Sequence, residues 1–166
     1  MQDRTEKARD MIRVNRYMTL ATSDGESVWI APIAYVVDAD YNFYWYSAVD
    51  ARHSQHIQHN SQVAVAIYNS TEPSDIISGL QMPGLAHTVE GPELAQVMDL
   101  YWRLSFPDES VRLRWMRPIE DFTGAAIQRF YQFTPTSVYM PDPSNKKVDR
   151  RMEVNLADLR MLPPHS

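Results

Sequence analysis

The chain has no cysteine and only five glycines in 166 residues. The first absence removes disulfide frameworks, cysteine-based zinc sites, iron–sulfur clusters and thiol nucleophiles together. It also fits a reducing compartment. The scarcity of glycine leaves no GxGxxG phosphate loop, and no GxSxG elbow is present to seat a hydrolase serine. No apolar run of about 18 residues occurs, so no helical membrane span is expected. Residues 1–16 are charged throughout, unlike a secretory leader. Sixteen basic residues stand against 21 acidic ones, for a net charge of −5, and they are scattered. A nucleic acid or an anionic membrane needs a concentrated basic surface, so neither is the expected partner. The expectation is a soluble cytoplasmic protein.

What is present is ordinary globular composition, 44% apolar and 22% charged, in a length suited to one domain over 1–166. Residues 1–16 read as a short amphipathic helix, with Ala8, Met11, Ile12 and Val14 among charges. "YMTLAT", "SVWIAPIAYVVD" and "NFYWYSAV" read as a three-strand antiparallel meander, its first turn marked by Asp24-Gly25. Pro32 has no amide to donate, which makes the second strand an edge or a bulge. Along "YNFYWY" the faces alternate, Phe43 and Trp45 on one side, Tyr44 and Tyr46 on the other. A short helix is expected over 51–60, capped by Asp50, then a strand in "QVAVAIYN" and a loop in "TEPSD".

"IISGLQMPGLAHTVEG" reads as a strand kinked near Pro83-Gly84. A helical insertion over 92–121 opens at Pro92 and continues past Pro107 in a second short helix over "DESVRLRWM". "IQRFYQFTPTSVYM" returns to strand with a break at Thr134-Pro135, and the proline-bearing tail 141–166 holds one strand in "RRMEVNL". Hairpin spacing with few helices gives a mainly β (α+β) fold, a small antiparallel barrel with helices outside it.

"DARHSQHIQHN" places His53, His56 and His59 three apart, in a chain with five histidines. On a helix these rings spread over about 120°, whereas a helical two-histidine metal site prefers i, i+4. No metal is expected, and His56 and His59 read as solvated. The start of the helix is different. Its first amides are unpaired, its dipole is positive there, and it carries Arg52 and His53, with Tyr46 and Ser47 ending the strand before it. That set suits a phosphate. A plain surface arginine is an equal reading of the same residues.

From "MTLATSDGESVWIAPIAYVVDADYNFYWYSAVDARHSQHIQHNSQVAVAI" the chain resembles the pyridoxamine 5′-phosphate oxidase-like family of FMN-binding split barrels. In that pattern a strand, a DG-type turn and two further strands lead to an Arg-Lys pair opening a helix. An apolar strand follows. Here the pair is Arg52-His53, "NSQVAVAI" is the next strand, and "GLQMPGLAHTVEG" is similar to the one after. The resemblance implies a Greek-key split barrel with peripheral helices, binding FMN as a homodimer with the flavin at the interface. Arg52 and His53 would hold the phosphate beside Tyr46 and Ser47. Ala31, Pro32, Ile33, Ala34, Tyr35 and Val36 would lie along the ring and ribityl chain, largely through backbone groups. Gln81 would reach in from a neighbouring strand, and Tyr44, Tyr46 and Trp102 would be exposed aromatics for the second copy to cover.

The departures shape the functional expectation. His53 stands for the family lysine, so phosphate affinity is expected to weaken above about pH 7. Ala31 replaces the arginine that begins the oxidase's flavin strand, and Tyr41 replaces its substrate-phosphate lysine. The oxidase's C-terminal Arg-x-His has no counterpart in the tail. The expectation is a flavin-dependent oxidoreductase of unassigned substrate, not a pyridoxamine phosphate oxidase. The alternative is a non-catalytic binder of flavin or haem, with His87 as an axial ligand in the haem case.

Overall fold

A computed structural model describes residues 3–71, 73, 78–142 and 150–164. The loop expected in "TEPSD", the start of the strand expected from Ile76, Pro143 and His165 lie wholly or partly outside the described residues.

Helix α1 (Arg4–Val14) buries Ala8, Met11 and Ile12, as its spacing dictates. Strands β1 (Tyr17–Ser23) and β2 (Val28–Ala34) follow as a hairpin. Gly25 turns it at φ 97°, and the Asp24 carboxylate accepts the amides of Glu26 and Ser27 at 3.0 and 2.7 Å. The third expected strand is β4 (Phe43–Ala48), but the meander is not simple. The second strand is interrupted at Tyr35, after which β3 (Val36–Val37) pairs with β4 rather than with β1. Tyr35 donates its amide to the Arg16 carbonyl and its hydroxyl to the Ile12 carbonyl, which ties this point to the junction of α1 and β1.

The remaining elements are α2 (Arg52–His59), β5 (Gln62–Ile67), β6 (Leu80–Thr88), α3 (Pro92–Ser105) and α4 (Glu109–Trp115). After a 3-10 turn at Ile119–Phe122 come β7 (Gln128–Pro135), β8 (Val138–Pro141), β9 (Arg151–Val154) and α5 (Leu156–Arg160). All strand pairs are antiparallel, in the order β2-β1-β5-β6-β7-β4-β3, with β8 on β6 and β9 on β8. The two end strands of that path are consecutive in the chain, so the sheet curls until one segment supplies both of its margins. Pro32 sits on such a margin, where its missing amide costs no ladder bond.

The kink expected at Pro83-Gly84 is not a break, because pairing with β5 continues through both residues. Glycine is required at 84 by close approach. A Cβ there would lie 2.3 Å from the Thr134 carbonyl oxygen and 2.9 Å from the Pro135 Cα. The break expected at Thr134-Pro135 comes after Pro135 instead. Helix α5 was not expected in the tail, although Asn155 caps it by accepting the Ala157 amide at 2.8 Å.

Two cores result. The inner one fills the curl with Met18, Leu20, Phe43, Trp45, Val65 and Tyr131, among others. The outer one lies where α3 covers β4 and β7, and it holds Tyr44, Leu94, Met98, Trp102, Phe122 and Phe130. Tyr44 and Trp102 are therefore not exposed aromatics, being 4% and 2% accessible. The chain covers them itself, and Tyr44 donates its hydroxyl to Asp38 at 2.9 Å. The alternation along β4 otherwise runs as the sequence dictates.

Candidate functional site

Helix α2 crosses one end of the curled sheet, resting on β1, β2 and β6. It begins at Arg52, one residue later than a cap at Asp50 requires. Ala51 is the residue at its N-cap, and no side chain bonds to its first amides. The amides of Arg52, His53 and Ser54 thus start the helix without intrahelical acceptors.

A guanidinium and an imidazole flank this turn and lie against different strands. The Arg52 guanidinium stacks over the Trp29 ring, 4.9 Å from its centroid, while its polar edge stays in water. His53 shares a hydrogen bond of 2.9 Å between its Nε2 and the Ser47 hydroxyl. Burial, and then the nearby His56, lower the His53 pKa from its usual 6.5. The ring is therefore neutral at pH 7 in the free protein, and its titration moves below the window the sequence suggested. Beside Arg52 the surface opens into a polar cleft of about 670 Å³ lined by Asp24, Glu26, Gln55, His56 and His59.

The other expected site residues are spread over both faces of the sheet. Tyr46 is half buried, its ring packed against Tyr101, Trp102, Phe122 and Phe130 at centroid distances of 5.4–5.9 Å. Ala31 and Ile33 point into the inner core, Pro32 and Ala34 point outward, and Val36 belongs to the outer core. Gln81 lies on the outer face and accepts from Arg151 Nε at 2.7 Å. His87 is exposed on that face too. Across the ladder from Ser47 is Arg129, which the sequence did not single out. Its guanidinium donates to the carbonyls of Gly124, Ala126 and Gln128.

His59 is exposed, as expected, but His56 is not. It is 4% accessible, its Nδ1 lies 3.2 Å from the Thr22 hydroxyl, and its Nε2 lies 3.5 Å from both Ser27 Oγ and Asp24 Oδ2. The β1–β2 hairpin folds over this face of α2 and removes it from water. Among the described residues no group of three His, Cys, Asp or Glu side chains could hold a metal, and no helix is long and apolar enough to cross a membrane.

An antiparallel sheet whose margins meet in one segment, with a cationic helix start at its end, defines a split barrel. Residues 4–139 match the family model described as pyridoxamine 5′-phosphate oxidase, and the chain belongs to that family. Members commonly bind flavin and generally form dimers. Among curated proteins the chain is 35% identical over 75 residues to the UPF0306 protein plu4501 of Photorhabdus laumondii. That stretch is 45% of this chain and 52% of that protein, so the match spans about half the length of the relative.

Among solved structures, a haem-binding protein from Mycobacterium smegmatis superposes with a TM-score of 0.68 at 16% identity, covering 97% of this chain and 61% of that one. A Clostridium acetobutylicum protein related to general stress protein 26, of the pyridoxinephosphate oxidase family, gives a TM-score of 0.64 at 10% identity, covering 93% and 96%. At such identities these likenesses establish the fold.

Proposed function

We propose that this chain is a single FMN-binding split-barrel domain that works as a homodimeric flavin-dependent oxidoreductase of unassigned substrate. The observation that carries this reading is the start of α2, where uncapped amides, the Arg52 guanidinium and the His53–Ser47 pair meet. A phosphate monoester supplies acceptors for the helix amides and the Arg52 guanidinium, beside the His53–Ser47 pair. The ring and ribityl chain would run along Ala31 to Val36, on the free margin of β2, where backbone groups have no neighbouring strand. Bound flavin would supply electron transfer through its ring system, while these residues bind and orient it.

Dimerisation is supported by the outer sheet face. The row Ile30–Ala21–Ala64–Pro83 runs across four strands, is exposed throughout and carries no polar side chain. Ile30 alone is 63% accessible. A contiguous apolar face of this kind is suited to a second copy. Gln81, on the same face, would reach a flavin seated between two copies.

Purified protein is expected to be yellow, with the absorbance bands of an oxidised flavin and the mass of FMN on release. Arg52→Ala should weaken FMN by about 1.5–3 kcal/mol, the range for a hydrogen bond to a charged group. Calorimetric titration of the two proteins with FMN checks this, and unchanged affinity would remove the phosphate site. The haem reading rests on exposed His87, and a Soret band in place of flavin bands would favour it.

A further inference from the structure

We infer that His56 is a positioning residue for the anion-binding turn, a latch that sets Arg52 and the first amides of α2 against the β1–β2 hairpin. The inference rests on the phosphate reading of that turn. Its starting point is a buried imidazole in a helix with little else to hold it. Helix α2 has eight residues, no side-chain cap and few apolar contacts beyond Ile57. So short a helix has little stability of its own, and contacts from outside decide where it lies. An apolar side chain at 56 would bury without needing partners, but its contacts would be non-directional. Histidine needs partners when buried and finds them all on the hairpin, in Thr22, Asp24 and Ser27.

The register gives these contacts their meaning. Arg52 and His56 are one helical turn apart and share a face of α2. Thr22 and Trp29 are directly opposed across β1 and β2. His56 meets Thr22 and Arg52 meets Trp29, so two positions on the helix sit on the two members of one strand pair. Fixing the first contact fixes the second. The hydrogen bond to Thr22 sets the rotation of α2, and the Asp24–Ser27 turn closes over the far side of the ring. The carboxyl of Asp24, lowered to about 2 chiefly by the amides of Ser27 and Glu26, stays ionised beside it.

The test compares FMN with riboflavin, which has the same ring system and no phosphate. His56→Ala should lower FMN affinity by about tenfold and leave riboflavin affinity unchanged, so that the preference for the phosphorylated ligand shrinks. Thr22→Val should reproduce the effect from the strand side without altering α2. His56→Asn, whose amide can take the place of Nδ1, should restore most of the preference, and His59→Ala should leave it intact. If His56→Ala fails to fold, Thr22→Val and His56→Asn carry the test. A preserved preference in folded His56→Ala and Thr22→Val overturns the inference, as does an equal loss for both ligands, which marks a general structural role. A wild-type protein with no preference for FMN over riboflavin would instead bring down the phosphate reading, and this inference with it.

Discussion

His53 couples the stability of the fold to acidity. Its folded pKa is lowered by burial first and His56 second, so below pH 6.5 the unfolded chain takes up a proton that the folded chain resists. The stability it contributes is whole above that pH and is lost as the pH falls through the folded value. Urea unfolding of the ligand-free protein at pH 7.5 and 5.5 should show this loss, and His53→Gln should reduce it. An acid limb unaltered by that substitution would assign the loss to other groups. Part of this site was legible beforehand. Arg52, His53 and Ser47 are marked by their order alone, since a strand end, a turn and a helix start must bring them near one another. The burial of His56 was not legible. Its partners lie about 30 positions away on the hairpin, and a count of apolar residues along one helix cannot register a polar side chain that is satisfied from elsewhere.

Among the elements, α2 shows how stability and binding can oppose each other. Ala51 gives the helix no cap, and a side chain that filled this role would occupy the amides a phosphate needs. Ala51→Asp should stabilise the ligand-free protein by about 0.5–2 kcal/mol and weaken FMN, since it adds both an acceptor and a negative charge. Ala51→Ser should give a smaller stabilisation and a smaller loss. Thermal unfolding and FMN titration of both variants check this, and stabilisation without any loss of affinity would place the ligand elsewhere. Strands proved easier to read than their partners. The alternation along β4 marks its two faces, but not that α3 would seal Tyr44 and Trp102 on one of them. Capping chemistry misled at Asp50, where the helix begins one residue on. At Asn155 the same chemistry does open a helix, α5.

For the molecule as a whole, the proposed dimer rests on the exposed row of the outer sheet face. Ala64→Arg places a charge at its middle, on a side chain that the isolated chain leaves in water. The variant should stay folded and sediment at half the mass of the parent, with weakened FMN. A parent that sediments as a monomer would contradict the proposed dimer.

The single segment that supplies both end strands of the path also bears on aggregation. An open strand margin is a template for any other strand, and most sheets have two to guard. Here one stretch, residues 28–37, contains both ends of the seven-strand path, with β9 a separate short margin beyond β8. Arg52 stands over Trp29 near one end, and Pro32 offers no amide in the middle. Beyond Tyr35, β3 is only two residues long. Edge-to-edge growth is thus discouraged along this stretch, which leaves the proposed pairing of copies to the exposed outer face.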